Sequence, residues 1–302
     1  MRDDGTCKGV PRARRVVVGV FVLVGVVVAA AAFVPVASLG TPKDASTSAV
    51  SGGESSTRCV ADPAHAPKMT DREIATVLKY VTGAFDGATW RDGEAIYLEW
   101  GGGGSTSAFG TRARLTHTVE HAPQWCVHLS GWEELKCLSR RGAWELFCHD
   151  SGVPLTKWGY PDDGVLNTPE PSRERRANAA FAESMRAYAQ APGRDRFANR
   201  ARSYDVILID GRARSACAHA VVPYLRPESV VLWHDFDSDA WRALARDGAA
   251  AGSDETSREP TRRGDRMYSK AAARLFDGVE HVDALAVFRV KPALAQQMRW
   301  LE

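Results

Sequence analysis

Side chains able to do chemistry stand at the ends of apolar runs in this chain. "YLEW" carries Glu99 and opens directly into "GGGGST", with Gly101, Gly103, Ser105 and Thr106. The run Leu115–Glu120 also ends in a carboxylate. "YDVILID" ends in Asp210, with Arg212 and Arg214 close behind, and "VVLWHDF" carries His234 and Asp235. A histidine or aspartate in such a place can take the proton of a hydroxyl as methyl or another group is transferred to it. His234 is the first choice for that base and Asp210 the second. Asp210, His234 and Asp235 also form a candidate ligand set for a hard divalent cation, magnesium or manganese, which would acidify the same hydroxyl. Arg212 and Arg214 are candidates for gripping a substrate carboxylate. Each reading has a structural counterpart: Asp210 as a helix cap, His234 as a satisfied core histidine, the arginines as a solvated helix start.

The glycine run narrows the ligand. Glycine costs conformational entropy, so a close backbone approach should accompany it. A nucleoside triphosphate loop would carry GxxxxGK[ST], and this run has no lysine. A dinucleotide loop would read GxGxxG; Gly101 and Gly103 fit, but Thr106 stands where a third glycine or alanine belongs. Glu99 would repel a pyrophosphate and suit an ammonium group. S-adenosylmethionine has an amino-acid end, a sulfonium and no phosphate. Its methionine part would lie along Gly101–Thr106, with Ser105 and Thr106 beside it. Glu120 is placed to accept from both ribose hydroxyls, and Asp150 from the adenine amino group.

These residues must be positioned by elements the sequence also predicts. Strands are expected at Ala95–Glu99, Leu115–Glu120, Trp144–His149, Tyr204–Asp210, Ser229–His234, Val279–Val282 and Leu285–Val290. Helical stretches fall between them at Ser105–Arg112, Pro123–Leu138, Arg173–Gln190, Arg212–Tyr224 and Tyr268–Phe276. "TDRE" forms a capping box, Thr70 with Glu73, ahead of the face Ile74, Val77, Leu78, Val81. Strand–helix alternation predicts a parallel sheet covered on both faces, and the last two strands, joined by "DA", a hairpin. The polar stretch 247–265 reads as a surface loop.

The N-terminal region has another character. Val16–Ala37 is 22 apolar residues without a charge, long enough for a membrane-spanning helix of about 20 residues. The basic tail 1–15 before it favours a cytosolic N-terminus, so an uncleaved signal-anchor is expected, in a type II protein whose domain faces a secretory-pathway lumen. The small residues around Ala37 and Ser38 leave a cleaved signal peptide as the alternative. Residues 38–67 are rich in Ser, Thr, Gly, Ala and Pro and read as a flexible stem. The domain is expected over 68–292, with a C-terminal tail 293–302. Cys59, Cys126, Cys137, Cys148 and Cys217 lie beyond the span, an odd number that leaves at least one free or paired with another chain. A net charge of +2 gives no nucleic-acid footprint.

"YLEWGGGGST" resembles the E-x-G-x-G motif of class I S-adenosylmethionine-dependent methyltransferases. "TVEHAPQWC" (118–126), "KWGYP" (157–161), "YDVILIDGRARSACA" (204–218), "VVLWHDF" (230–236) and "RMY" (266–268) resemble a membrane-anchored branch of that superfamily, in order, over about residues 70–292. The resemblance implies a three-layer, Rossmann-like, doubly wound sheet of seven strands with the last antiparallel. It also implies S-adenosylmethionine as cofactor, and some members hold a metal at these strand ends. With the anchor and stem, the expected activity is O-methylation of a carbohydrate or similar polar acceptor in the Golgi or a neighbouring membrane. Two alternatives stay open. A type II glycosyltransferase would use "DFDSD", Asp235–Asp239, to hold manganese and a sugar nucleotide; a non-catalytic protein would keep the fold as a binding module.

Overall fold

Short apolar runs alternate with amphipathic stretches, and the chain folds accordingly. The computed structural model describes residues 58–152, 183–236, 241–242 and 272–294. The tail 1–15, the apolar run 16–37, most of the stem, "KWGYP", the 247–265 stretch, Asp237, Asp239 and residues 295–302 lie outside them. Among the described residues no helix is long and apolar enough to cross a membrane.

Helix α1 (Asp71–Val81) starts at the expected capping box: Thr70 accepts from the Glu73 N–H, and Glu73 reaches back to the Thr70 N–H. Then come β1 (Ile96–Trp100), α2 (Gly104–Gly110), β2 (Leu115–Glu120), α3 (Pro123–Gly131), α4 (Glu133–Arg140) and β3 (Trp144–Cys148). Residues 183–189 are helical, and after a short helix at Asp195–Ala198 the chain enters β4 (Tyr204–Ile209). Helix α5 (Arg214–Ala220), β5 (Leu225–Trp233), β6 (Phe276–Val282) and β7 (Leu285–Val290) complete the order.

The sheet has seven strands in the order β3-β2-β1-β4-β5-β7-β6. Its pairs are parallel except those of β7, which runs antiparallel to both β5 and β6. This is the expected doubly wound sheet with its last strand reversed. The order turns back between β1 and β4, so their carboxyl ends open the crevice where such sheets bind ligands. One face packs Trp100, Tyr188, Phe197, Trp233, Phe236 and Phe288; the other packs Val77, Tyr80, Trp90, Phe109, Val206 and Leu208. β2 is buried along its whole length despite two threonines and a histidine. Each of these three side chains has at least one partner: Thr116 donates to the Gly110 carbonyl, Thr118 to Glu99, and His117 Nδ1 lies 2.8 Å from the Tyr204 hydroxyl.

Several boundaries differ from the sequence reading. The expected helix 123–138 breaks at Trp132, whose extended backbone (ψ 132°) separates α3 from α4 directly after Gly131. The helix expected from Arg212 starts at Arg214 and ends at Ala220, followed by a turn at Val222–Tyr224. β5 starts at Leu225, before Ser229. The last residues of the expected stem are part of the fold. Cys59 is buried and joined to Cys137, and a helical turn at Pro63–His65 follows, capped by Asp62. Cys126 joins Cys148, and among the described residues Cys217 is the free, buried thiol.

Candidate functional site

The glycine loop leaves β1 through a backbone conformation that only glycine adopts without strain. Gly101 has φ +91°. Space forbids a side chain as well: a Cβ there would stand 2.8 Å from the Gly211 Cα and 3.0 Å from the Asp210 carbonyl carbon. The loop after β1 and the loop after β4 therefore touch backbone to backbone. A hydrogen bond from Asp210 N–H to the Trp100 carbonyl (3.0 Å) fixes that contact, and one from Gly101 N–H to the Val119 carbonyl (2.9 Å) ties the loop to β2. Gly103 is different, since a Cβ there would meet nothing within 4 Å. It marks the open side of the loop. The Trp125 indole N–H donates to the Gly102 carbonyl at 2.7 Å and holds the loop from α3.

Glu99 does not face that open side. It is fully buried and accepts from four hydroxyls: Thr106, Ser105 (2.9 Å), Thr118 (3.0 Å) and Tyr97 (3.2 Å). A carboxylate offers about four acceptor positions, and these donors engage them. The expected contact of Glu99 with a ligand ammonium gives way to a supporting role beneath the loop. Ser105 and Thr106 follow it inward, since a buried carboxylate needs donors more than the open crevice does. The Thr106 hydroxyl also accepts from the Gly103 N–H at 3.0 Å and ties loop to hub. Burial pushes the Glu99 carboxyl up to about 7, against the hydroxyl donors that favour its charge.

Glu120 closes β2 on the neighbouring strand end. Its Oε1 accepts from the N–H groups of His121 (2.7 Å) and Ala122 (2.9 Å), which orients the carboxylate. Asp150 lies exposed beyond β3, its Oδ1 taking the Gly152 N–H at 2.8 Å.

Across the crevice, the ends of β4 and β5 bring Asp210 and His234 together, with Nδ1 and Oδ1 2.8 Å apart. His234 is the deeper of the two, its side chain 11% exposed against 26% for Asp210. Its Nε2 faces Glu73 Oε2 at 3.7 Å. Glu73 was legible only as a cap. Its Oε1 also takes the Ala284 N–H of the β6–β7 turn. Burial acts to lower the imidazole pKa, but the Asp210 hydrogen bond and the charges of Asp210, Asp235 and Glu73 outweigh it, and the ring is held above its ordinary value.

Arg214 is not a substrate clamp. It is buried, and it donates to the carbonyls of Gly211 (2.9 Å), His234 (2.5 Å) and Asp210 (3.1 Å), and to Asp235 Oδ2 (2.7 Å). It stitches the β4 and β5 loops together. Burial raises the Asp235 carboxyl, yet Arg214, His234 and Arg212 bring it below its usual range. Arg212 lies half-buried in the β4–α5 loop. The expected cation ligands do converge, with atoms of Asp210, His234 and Asp235 all within 4.8 Å of one another. The positive charge there is already supplied, because Arg214 stands 2.7 Å from Asp235 and 3.5 Å from Asp210. This donor set fits a guanidinium-neutralised cluster rather than a divalent cation.

The loop and Glu120 suit the nucleoside ligand expected from the sequence: backbone open at Gly103 and an oriented carboxylate on the next strand. No protein-family model matches the chain, and no curated protein does. Solved structures align with it at low identity. A methyltransferase-like protein from Silicibacter pomeroyi covers 80% of this chain and 96% of its own, with a TM-score of 0.46 and 19% identity. The MycE methyltransferase of the mycinamycin biosynthetic pathway, in complex with Mg, SAH and mycinamycin VI, covers 74% and 49%, with a TM-score of 0.33 and 18% identity. The N-methyltransferase NodS from Bradyrhizobium japonicum, in complex with S-adenosyl-L-homocysteine, covers 72% and 85%, with a TM-score of 0.33 and 10% identity. The fold stands on the strand order itself.

Proposed function

We propose that this chain is an S-adenosylmethionine-dependent methyltransferase acting on an oxygen of a polar, carbohydrate-like acceptor. The observation that carries the reading is the backbone contact of Gly101 with Asp210 and Gly211. It sets a loop suited to the cofactor directly beside an acid–base pair, at the point where the sheet reverses direction. Gly101–Gly103 and Glu120 would hold the cofactor, which when bound supplies an electrophilic methyl group on a sulfonium. The Asp210–His234 pair takes the proton of the acceptor hydroxyl as that oxygen is methylated. Asp210, the more exposed member, meets the hydroxyl, and His234 supports it from behind. Arg214 and Glu73 hold the pair in place.

The acceptor class and compartment rest on other support. The apolar run Val16–Ala37 with its basic flank suggests a type II anchor. Two disulfides suit an oxidising compartment such as the secretory lumen. Calorimetry with S-adenosylmethionine and with a panel of sugar nucleotides tests the cofactor. Binding of the former alone supports the reading, binding of sugar nucleotides favours a glycosyltransferase, and binding of neither favours a scaffold. Glu120→Ala should weaken S-adenosylmethionine by about tenfold or more through loss of charge-assisted hydrogen bonds. Transfer of labelled methyl to glycan fractions should fall by about 10²–10⁴ in Asp210→Ala; full activity there removes the pair from the mechanism.

A further inference from the structure

The segment before α1 is bound to the elements around the glycine loop by several independent contacts. Arg58 donates to the Thr111 carbonyl and pairs with Asp92 at 3.0 Å. Cys59 is covalently joined to Cys137 on α4, 78 residues away in sequence. The His65 ring stacks on Trp132 with centroids 3.8 Å apart and planes 5° from parallel. His65 Nδ1 lies 2.7 Å from Glu134 Oε1, and the same buried oxygen accepts from Ser107 of α2 at 2.8 Å. The backbone then runs over the start of α2, where a Cβ at Gly104 would stand 2.5 Å from the Ala66 carbonyl carbon. From the other side, Trp132 packs edge-on against Trp125, which holds the Gly102 carbonyl.

Two routes therefore connect this segment to the loop. One is direct, Ala66 on Gly104. The other passes through His65, Trp132 and Trp125 to Gly102. We propose that residues 58–66 are a strap that positions the glycine loop, and that the Cys59–Cys137 disulfide makes cofactor binding depend on thiol redox state. The proposal rests on the cofactor reading of that loop. A dithiol reductant that breaks the bond gives two cysteine thiols and itself becomes a cyclic disulfide. The strap then keeps only its noncovalent contacts, most of them at a partly exposed surface. A chain of this kind reaches its full cofactor affinity only after oxidation, so that affinity follows the compartment the domain has entered.

The test uses the full chain, with S-adenosyl-L-homocysteine as the calorimetric probe. The Cys59→Ser/Cys137→Ser variant should bind about tenfold more weakly than wild type, within the usual range of site-to-site coupling. Gly104→Ala leaves the disulfide intact and pushes on Ala66, so it should weaken binding in the same way. Dithiothreitol should weaken the wild type until it matches the serine variant measured in the same reductant. Its effect on the serine variant itself reports the share due to Cys126–Cys148. Hydrogen exchange at the amides of residues 104–107 gives a second readout that needs no ligand, and it should quicken in both variants. Wild-type affinity in both variants overturns the proposal, as does unchanged exchange. Absence of binding by the wild type, with exchange quickened as expected, overturns the cofactor reading and leaves the strap standing.

Discussion

Replacing Glu99 by glutamine tests whether the loop rests on a buried carboxyl. The folded chain holds this group at about 7, against an ordinary value of 4.5, chiefly because burial disfavours its charge. The sign follows from linkage. Below 4.5 the group is protonated in both the folded and unfolded chain and contributes no pH dependence. Between 4.5 and 7 the unfolded chain loses the proton while the folded chain keeps it, so stability falls as pH rises. Above 7 both are ionised and the full loss is present. A displacement of this size corresponds to about 3 kcal/mol, at 1.36 kcal/mol per pH unit. Glutamine has nearly the shape of the protonated acid and does not titrate. Urea unfolding of wild type and Glu99→Gln at intervals from pH 4.5 to 8.5 should give curves that separate by about 3 kcal/mol, the variant gaining relative to wild type as pH rises. Other titrating groups act on both proteins and cancel in the difference. Affinity for S-adenosyl-L-homocysteine should change by less than about threefold, because Glu99 supports the loop without touching the ligand; a direct charge-assisted contact would cost about tenfold or more. Parallel stability curves would refute the buried-acid argument, and a tenfold loss of affinity would return Glu99 to the ligand.

Two further substitutions address the frame of the site. Gly101→Ala should lower stability by about 2 kcal/mol, because it combines a positive φ with contact against Gly211 and Asp210; a denaturation midpoint equal to wild type would show that the two loops separate without cost. Arg214→Met should cost at least about 2 kcal/mol through lost charge-assisted hydrogen bonds, and should let Asp210, His234 and Asp235 bind manganese that the wild type does not hold. Manganese bound by wild type, read by electron paramagnetic resonance, would sink the guanidinium-neutralised reading.

Much of the fold was legible because its strands are central and parallel. Tyr204–Ile209 is buried at every position, and the apolar run Val206–Ile209 announces a covered strand. The hairpin of β6 and β7 was legible from the two residues that join its strands. What the sequence hid is where polar side chains point. Tyr97 and Glu99, two residues apart on one strand, share a face, and "GSTS" follows at once, so a hydroxyl cluster around Glu99 had a visible signal. Thr118 could be added only once β2 was known to lie beside β1 in register, Glu99 opposite Thr118. Arg214 misled for a related reason. An arginine at a helix start opposes the helix dipole, and the substrate carboxylate it was a candidate to grip would have compensated that. The compensation is instead internal, in three carbonyls and Asp235 brought together by the β4 and β5 turns.

Depth within the crevice separates the acidic residues by role. Glu73 and Glu99 are 2% and 0% exposed, and each has both oxygens engaged by the protein's own donors. Their charge, or the proton that replaces it, is spent on holding α1 against the last hairpin and the glycine loop against β2. Asp210 lies nearer the rim at 26% exposure, on the strand end whose following loop touches Gly101. Deep carboxylates make poor ligand contacts because a ligand would have to displace satisfied hydrogen bonds and gain little net energy from the exchange. A rim carboxylate backed by a histidine pays less to meet a hydroxyl and can still pass on its proton. The proposed chemistry is therefore best sought at Asp210, with His234, Glu73 and Arg214 as its support, and cofactor binding at the open edge of Gly103 and at Glu120. Glu120 is nearly as deep as Glu73, at 4% exposure, but takes the hydrogen bonds of His121 and Ala122 on Oε1 and so keeps Oε2 for a ligand.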